Sequence, residues 1–395
     1  MRAWMKWGAG AGATAVVVGA VGLGAVWRWA SSDDFRGRAQ QAASQALGVP
    51  VQLGRIEVAL WPSIAVALRD VRVQTQPALT LEQIDATPQW PALLAGRPAL
   101  DALVVRNAVL PQQGLVALAA GLQKPSTTPT AAPVLPRRIL LDRVTWVDAT
   151  GQRLTVDAEV AFGDQPLPHS ARVDIVGGRY AGAKARLQRE ADAWQLRADI
   201  GGGTVRGPLR LAPQRAGGWR LSGELVTEKV EVSALTAPSR PLTGKLDART
   251  TLQADFRDAG ALADAMRTQT RFTVRQAVVH GIDLAQAVRT LGISRDGQTQ
   301  LDTLTGQVAT QGKLVHMTNL VATSGSLAAN GQVTLAPDLA LSGRVVASLA
   351  GALGVPLQVA GTLDAPSVSP AGLSIPAAEG LGDRIGKGLK GLFGG

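Results

Sequence analysis

The chain has 395 residues, 46% of them hydrophobic, 18% charged and only 4% aromatic, with 40 basic against 30 acidic residues and no cysteine. This apolar share excludes a fully disordered chain, and a soft prior of about 150 residues per domain gives two or three domains. The lack of Cys excludes disulfides, thiolate metal sites, iron–sulfur clusters and a thiol nucleophile, while His169, His280 and His316 lie too far apart in sequence to suggest a multi-His site.

The first predicted element is a membrane anchor over residues 1–30. From Trp7 to Trp27 no side chain is ionisable. A helix of that length spans about 30 Å, the thickness of a hydrocarbon core. Trp4, Trp7, Trp27 and Trp29 sit at its two edges, where amphipathic aromatic rings settle at a membrane interface. Arg2 and Lys6 place the N-terminus in the cytoplasm and the bulk of the chain outside it. A cleaved signal peptide is the alternative. The apolar stretch is long for one, and no small-x-small site follows it before Ala30.

Residues 31–122 read as a helix plus a β unit. Ser32, Asp33 and Asp34 supply N-cap chemistry for a short helix from Phe35 to Leu47. Ala39, Ala42, Ala43, Ala46 and Leu47 share one face, Gly48 stops the helix and Pro50 follows. A Pro-rich linker over 123–136 leads to the main β region, 137–374. There the pattern is strict alternation. Leu154, Val156, Ala158, Val160 and Phe162 interleave with polar residues, as do Trp194, Leu196, Ala198 and Ile200, and then Leu246, Ala248, Leu252, Ala254 and Phe256. Phe272, Val274 and Val278 continue the pattern. Period two with one dry and one wet face predicts antiparallel sheet. Helical interruptions are expected over 259–269 and 283–291. Gly306, Gly312, Gly325, Gly331, Gly343 and Gly361 read as turns leading short strands, a weak repeat of about one hairpin arm per unit. The tail, 375–395, is Gly-rich and basic. Leu381, Ile385, Leu389, Leu392 and Phe393 fall near one helical face, which suits a membrane surface or a partner, or else a cap on the sheet.

Two blocks carry a family likeness. The strings LGVPVQLGRI (47–56), WPSIAVALRDVRV (61–73), WPALLAG (90–96) and LDALVVRNAVL (100–110) resemble the opening of the AsmA family. LTGKL (242–246), FTVRQAVVHGIDL (272–284), NGQVTL (330–335) and PLQVAGTLDAP (356–366) resemble its C-terminal region. The likeness is weakest over 137–240. It implies a bacterial inner-membrane protein, single-pass, with a periplasmic body similar to the chorein-like bridge proteins. The implied fold is mainly β: an N-terminal transmembrane helix, then an elongated, curved antiparallel sheet forming an open groove, with a few short helices. The implied function is phospholipid transport between inner and outer membrane and outer-membrane biogenesis. Lipids, the inner membrane and outer-membrane or periplasmic proteins are the implied partners, and nucleic acid is not. The alternative is a non-enzymatic interaction protein assisting outer-membrane protein assembly, built on a closed barrel or sandwich.

A lipid groove needs an apolar trough with a wet exterior. Its expected lining is Leu154, Val156, Val160, Phe162, Leu196, Ile200, Leu246, Leu252, Phe256, Phe272 and Val274, each of which reads equally as plain core. No catalytic role is expected, because no HExxH, GxSxG, P-loop or EF-hand pattern occurs. A GxGxxG at Gly386, Gly388 and Gly391 follows no strand, so no cofactor is expected.

Overall fold

A computed structural model describes residues 33–59, 65–89, 100–122, 136–148, 150–163, 167–215, 217–237, 239–257, 261–290, 297–350 and 353–371. The expected anchor with Trp4, Trp7, Trp27 and Trp29, almost all of the Pro-rich linker and the basic tail lie outside the described residues. Among the described residues no helix is long and apolar enough to cross a membrane. The protein is mainly β, with five short helices among the described residues, and it divides into two compact units. The division falls between Ile200 and Leu211, around the strand β11 (Gly203–Pro213).

The first unit opens with α1 (Asp33–Leu47), whose Ala39, Ala43 and Leu47 face the core as their spacing predicts. Strands β1 (Val51–Gln52) and β2 (Arg55–Ala59) both pair with β3 (Ala65–Val73). The meander continues through β4 (Leu79–Pro88) to β5 (Leu100–Pro111). Helix α2 (Gln112–Leu122) then carries the chain away from β5. Strands β6 (Arg138–Val147), β7 (Arg153–Phe162), β8 (Pro168–Gly178), β9 (Lys184–Glu190) and β10 (Ala193–Ile200) follow as antiparallel neighbours.

Two features depart from the expected pattern. The β5–β6 pair is parallel, because a helix-containing connection, not a hairpin, joins the two strands. And α2 escapes sequence reading, because a helix of Gly, Ala, Leu and Val with only two Gln shows no 3.6-residue alternation.

The second unit comprises β12 (Trp219–Glu231), α3 (Val232–Thr236), β13 (Leu242–Phe256), α4 (Leu262–Ala265), β14 (Arg267–His280), α5 (Leu284–Arg289) and β15 (Gln298–Gln311). It ends with β16 (Leu314–Ser324), β17 (Leu327–Leu335), β18 (Leu341–Leu349), β19 (Val355–Gly361) and β20 (Pro366–Pro370). Consecutive strands pair antiparallel throughout. The expected interruption at 259–269 shrinks to the single turn of α4, and that at 283–291 is α5, capped by the Asp283 carboxylate accepting from the Gln286 amide. Among the described strands, no pairing closes either meander into a barrel. The closed-barrel alternative is therefore corrected: both are open sheets.

The sheet stays in phase by a repeated device. In β3, β5, β6, β14 and β16 an apolar residue is followed by two polar ones and another apolar one, and in β12 the buried Thr227 takes the first place. The second polar residue adopts a left-handed backbone: Asp70, Asn107, Arg143, Lys229, Gln276 and Asn319, with φ between 49° and 54°. At Arg143, Lys229, Gln276 and Asn319 the register slips by one residue, so these are β-bulges, which insert one extra residue and bend the strand, whereas at Asp70 and Asn107 the pairing stays in register. The effect on side chains is exact. Leu68 and Val71, Val105 and Ala108, Leu141 and Val144, and Val274 and Ala277 share a face although their spacing is odd. At two bulges a carboxylate of the next strand captures the left-handed residue's amide, Arg143 to Asp157 (2.8 Å) and Lys229 to Asp247 (3.0 Å). The expected alternation Phe272, Val274, Val278 is corrected accordingly. The Gln276 bulge turns Val278 to the other face, where it pairs with Gln300, and brings Ala277 and Val279 onto the core face.

The glycines also need revision. Gly312 and Gly325 are turns with positive φ, but Gly306, Gly331 and Gly343 lie inside β15, β17 and β18. There they allow close approach. A Cβ on Gly331 would stand 2.3 Å from the Arg344 carbonyl oxygen, and one on Gly306 would meet Leu320 and the Phe272 ring.

Each unit has one hydrophobic cluster. In the first, Val51, Leu53, Ile56, Val71, Val73 and Leu79 pack beneath α1 and α2. In the second, Val274, Ala277, Leu301, Ala347 and Leu357 form the centre, covered by Val232 of α3 and by Ile282 and Ala287 beside and within α5.

Candidate functional site

The register of β6–β10 sets apolar side chains in rows running across the strands. Ile139, Val160, Ala171, Leu187 and Leu196 form one row. Leu141, Ala158, Val173, Ala185 and Ala198 form the next, and Val144, Val156 and Ile175 the third. The row at one end holds Phe162, Pro168, Arg189 and Trp194. At the other end Trp146 stands opposite Leu154 and is 42% exposed.

Most of this face is half-buried, although its residues are as apolar as a core. Among the described residues, β6–β10 belong to neither hydrophobic cluster. The physical meaning is a single-layer sheet with its dry side available: Leu, Val and Ile touch in-plane neighbours and have no second layer above them among the described residues. Val144, at 3% exposure, and Trp194, at 5%, are the buried exceptions.

The expected lining residues therefore separate into three groups. Leu154, Val156, Val160, Phe162, Leu196 and Ile200 are half-buried in the first unit, on this face. Leu252 and Phe256 are half-buried in the second unit, where they oppose Gly223 and Trp219. Val274 is 1% exposed at the centre of the second unit's cluster, with Leu246 and Phe272 packed against it. These last three are covered core. Sequence could not separate the groups, because covered and uncovered faces demand the same alternation.

Trp146, Ile139, Val173 and Leu187 belong to the face and were missed. Only the phase slip at Asp142-Arg143 would have revealed that Trp146 shares a side with Ile139.

Each unit also carries a wet, hydrogen-bonded face. Arg69 reaches Glu57 (2.9 Å) and Gln83 (3.2 Å), and Arg106 reaches Asp85 (2.8 Å). In the second unit Arg275 meets Asp247 at 3.0 Å, and Arg220 meets Asp255. The hydrogen bond from Arg220 holds the Asp255 carboxyl below its ordinary range, and the same contact raises Arg220. Asp148 is lowered by the Thr150 hydroxyl and by turn amides, and Arg69 is raised by its bond to Glu57. All are exposed groups, so solvent screens these pairs and they add little to stability. Their role is to keep these faces in water.

A cavity of about 320 Å³ beside His316, Met317, Thr334 and Ser342 contains one titratable side chain. Among the described residues no three His, Asp or Glu converge as metal ligands.

The fold and this face define an open β meander with a one-sided apolar surface. No family model, curated protein or solved structure matches the chain.

Proposed function

We propose that the protein is a membrane-anchored periplasmic carrier of phospholipid, moving lipid between inner and outer membrane in outer-membrane biogenesis, with acyl chains lying on the apolar face of β6–β10. The observation that carries the reading is that face: rows of Leu, Val, Ile and Ala, half-buried, with no covering layer among the described residues. Monomeric soluble proteins keep contiguous exposed apolar area small, so a face of this kind marks a binding surface. An acyl chain is a fitting occupant because it offers no hydrogen bonds and asks for none. Each methylene fully withdrawn from water gains about 0.8 kcal/mol. The resemblance to the AsmA family and the apolar segment over 7–27 supply the cellular setting.

Photo-crosslinking tests the reading. A photoreactive residue replacing Val156 is expected to capture phospholipid in cells, and one replacing Asp157, on the wet face, is not. Capture at neither position, with both variants folded, counts against lipid carriage.

A second reading has its own support. The second unit's covered cluster around Val274 is an ordinary closed core, as an assembly-assisting interaction protein would need. Under that reading, neither position captures lipid, and crosslinks go to protein.

A further inference from the structure

The geometry points to a phosphate-recognition position for a phospholipid headgroup at the Arg189 end of the β6–β10 face. This rests on the lipid reading above and makes it specific.

Arg189 interrupts an otherwise apolar face. The register sets it opposite Trp194, one row beyond Leu187 and Leu196. Its guanidinium carbon lies 5.2 Å from the Trp194 ring centroid, and its Nε donates to the Ala191 carbonyl (3.4 Å). Trp194 is itself fixed, 5% exposed, with its Nε1 donating to the Pro168 carbonyl at 2.8 Å. The ring contact and the Nε bond hold the guanidinium beside the indole, and its terminal N–H groups form a fork of the kind that suits a phosphate. Glu190 and Asp192 are sequence neighbours, yet among the described residues no carboxylate reaches ion-pair distance of Arg189. An unpaired cation one row beyond the apolar rows complements a molecule with one anionic end and a long apolar one. A phospholipid whose chain lies across Leu187 and Leu196 brings its phosphate to that end of the strands.

Arg137 repeats the placement at the same end. Its carbonyl accepts from the Phe162 amide (2.8 Å), and it too has no carboxylate partner among the described residues. Three strand spacings of about 4.8 Å separate β6 from β9, more than one phosphate spans, so Arg137 marks a second headgroup position.

The test compares phosphatidylglycerol with diacylglycerol of the same acyl chains, binding to the full chain in detergent by native mass spectrometry. The phosphate is expected to be worth about tenfold in affinity. Arg189→Gln is expected to remove most of that preference and leave diacylglycerol binding unchanged. Arg189→Lys, which keeps the charge but loses the stacked fork, is expected to keep only part of it and carries the test if Arg189→Gln does not fold. A preference unaltered in the folded variants, or loss of both lipids together, overturns the headgroup assignment and leaves lipid carriage standing. A parent chain that binds neither lipid overturns both.

Discussion

Truncating two valines by the same atoms should have unequal cost, because one is under a second layer and the other is not. Val274 is 1% exposed and sits among Ala277, Leu301 and Leu357 beneath α3 and α5. Val274→Ala removes the equivalent of two buried methylenes, about 1.6 kcal/mol of transfer free energy, and leaves a cavity that adds roughly another 1 kcal/mol. Val156 is half-buried in a single layer. There Val156→Ala loses about half the transfer contribution and opens no enclosed cavity, for a total of about 0.5–1 kcal/mol. For a unit of this size each kcal/mol moves the midpoint by about 2–4 °C. The expected shifts are thus about 5–10 °C for Val274→Ala and about 1–4 °C for Val156→Ala, read by circular dichroism melting of the full chain without added lipid. Equal, large shifts would refute the claim that β6–β10 have an open dry face.

Deleting Gln276 should carry Ala277 and Val279 to the solvent side and cost about 3–4 kcal/mol, seen as loss of the second unit's cooperative transition in urea. Lys229→Gly should instead stabilise by about 0.5–1 kcal/mol, because glycine enters the left-handed region without a Cβ clash; a destabilised Lys229→Gly would contradict the bulge geometry. Gly331→Ala should lower stability by about 1–3 kcal/mol through overpacking, since its Cβ would meet backbone atoms of Arg344 and Val345. Asp148 and Asp255 have folded values below the ordinary carboxylate range. Their contributions are therefore complete above that range and lost as pH falls through the lower folded values. Asp148→Asn, which keeps acceptors for the turn, should flatten the acid limb of a stability–pH curve below the ordinary carboxylate range, from about pH 4 downward; an unchanged slope would refute that role.

Much of the fold is legible in the chain because period-two alternation has a single structural meaning wherever it is unbroken. The strand from Arg153 to Phe162 and that from Ala193 to Ile200 agree with their alternating residues to within one position. Legibility ends where phase changes. A doublet such as Arg275-Gln276 looks like lost alternation, yet it preserves the face by adding one residue in the left-handed region. Gly306 and Gly331 read as turns because turns are the commonest reason for glycine, whereas here the reason is a neighbouring strand or ring. The candidate site is half legible for a related cause. Alternation identifies the dry residues, but what lies above Val156 and what lies above Val274 depends on which helices fold back over each strand, and the strand's own residues do not record that. Helix α5 covers one, and nothing among the described residues covers the other.

The most direct test of the account is native mass spectrometry of the full chain purified from a bacterial membrane in mild detergent, beside Val156→Asp and Leu196→Asp. The account predicts bound phospholipid on the parent and markedly less on both variants, with circular dichroism unchanged because a half-buried carboxylate on an open face can stay hydrated. A folded parent that carries no phospholipid would contradict the account.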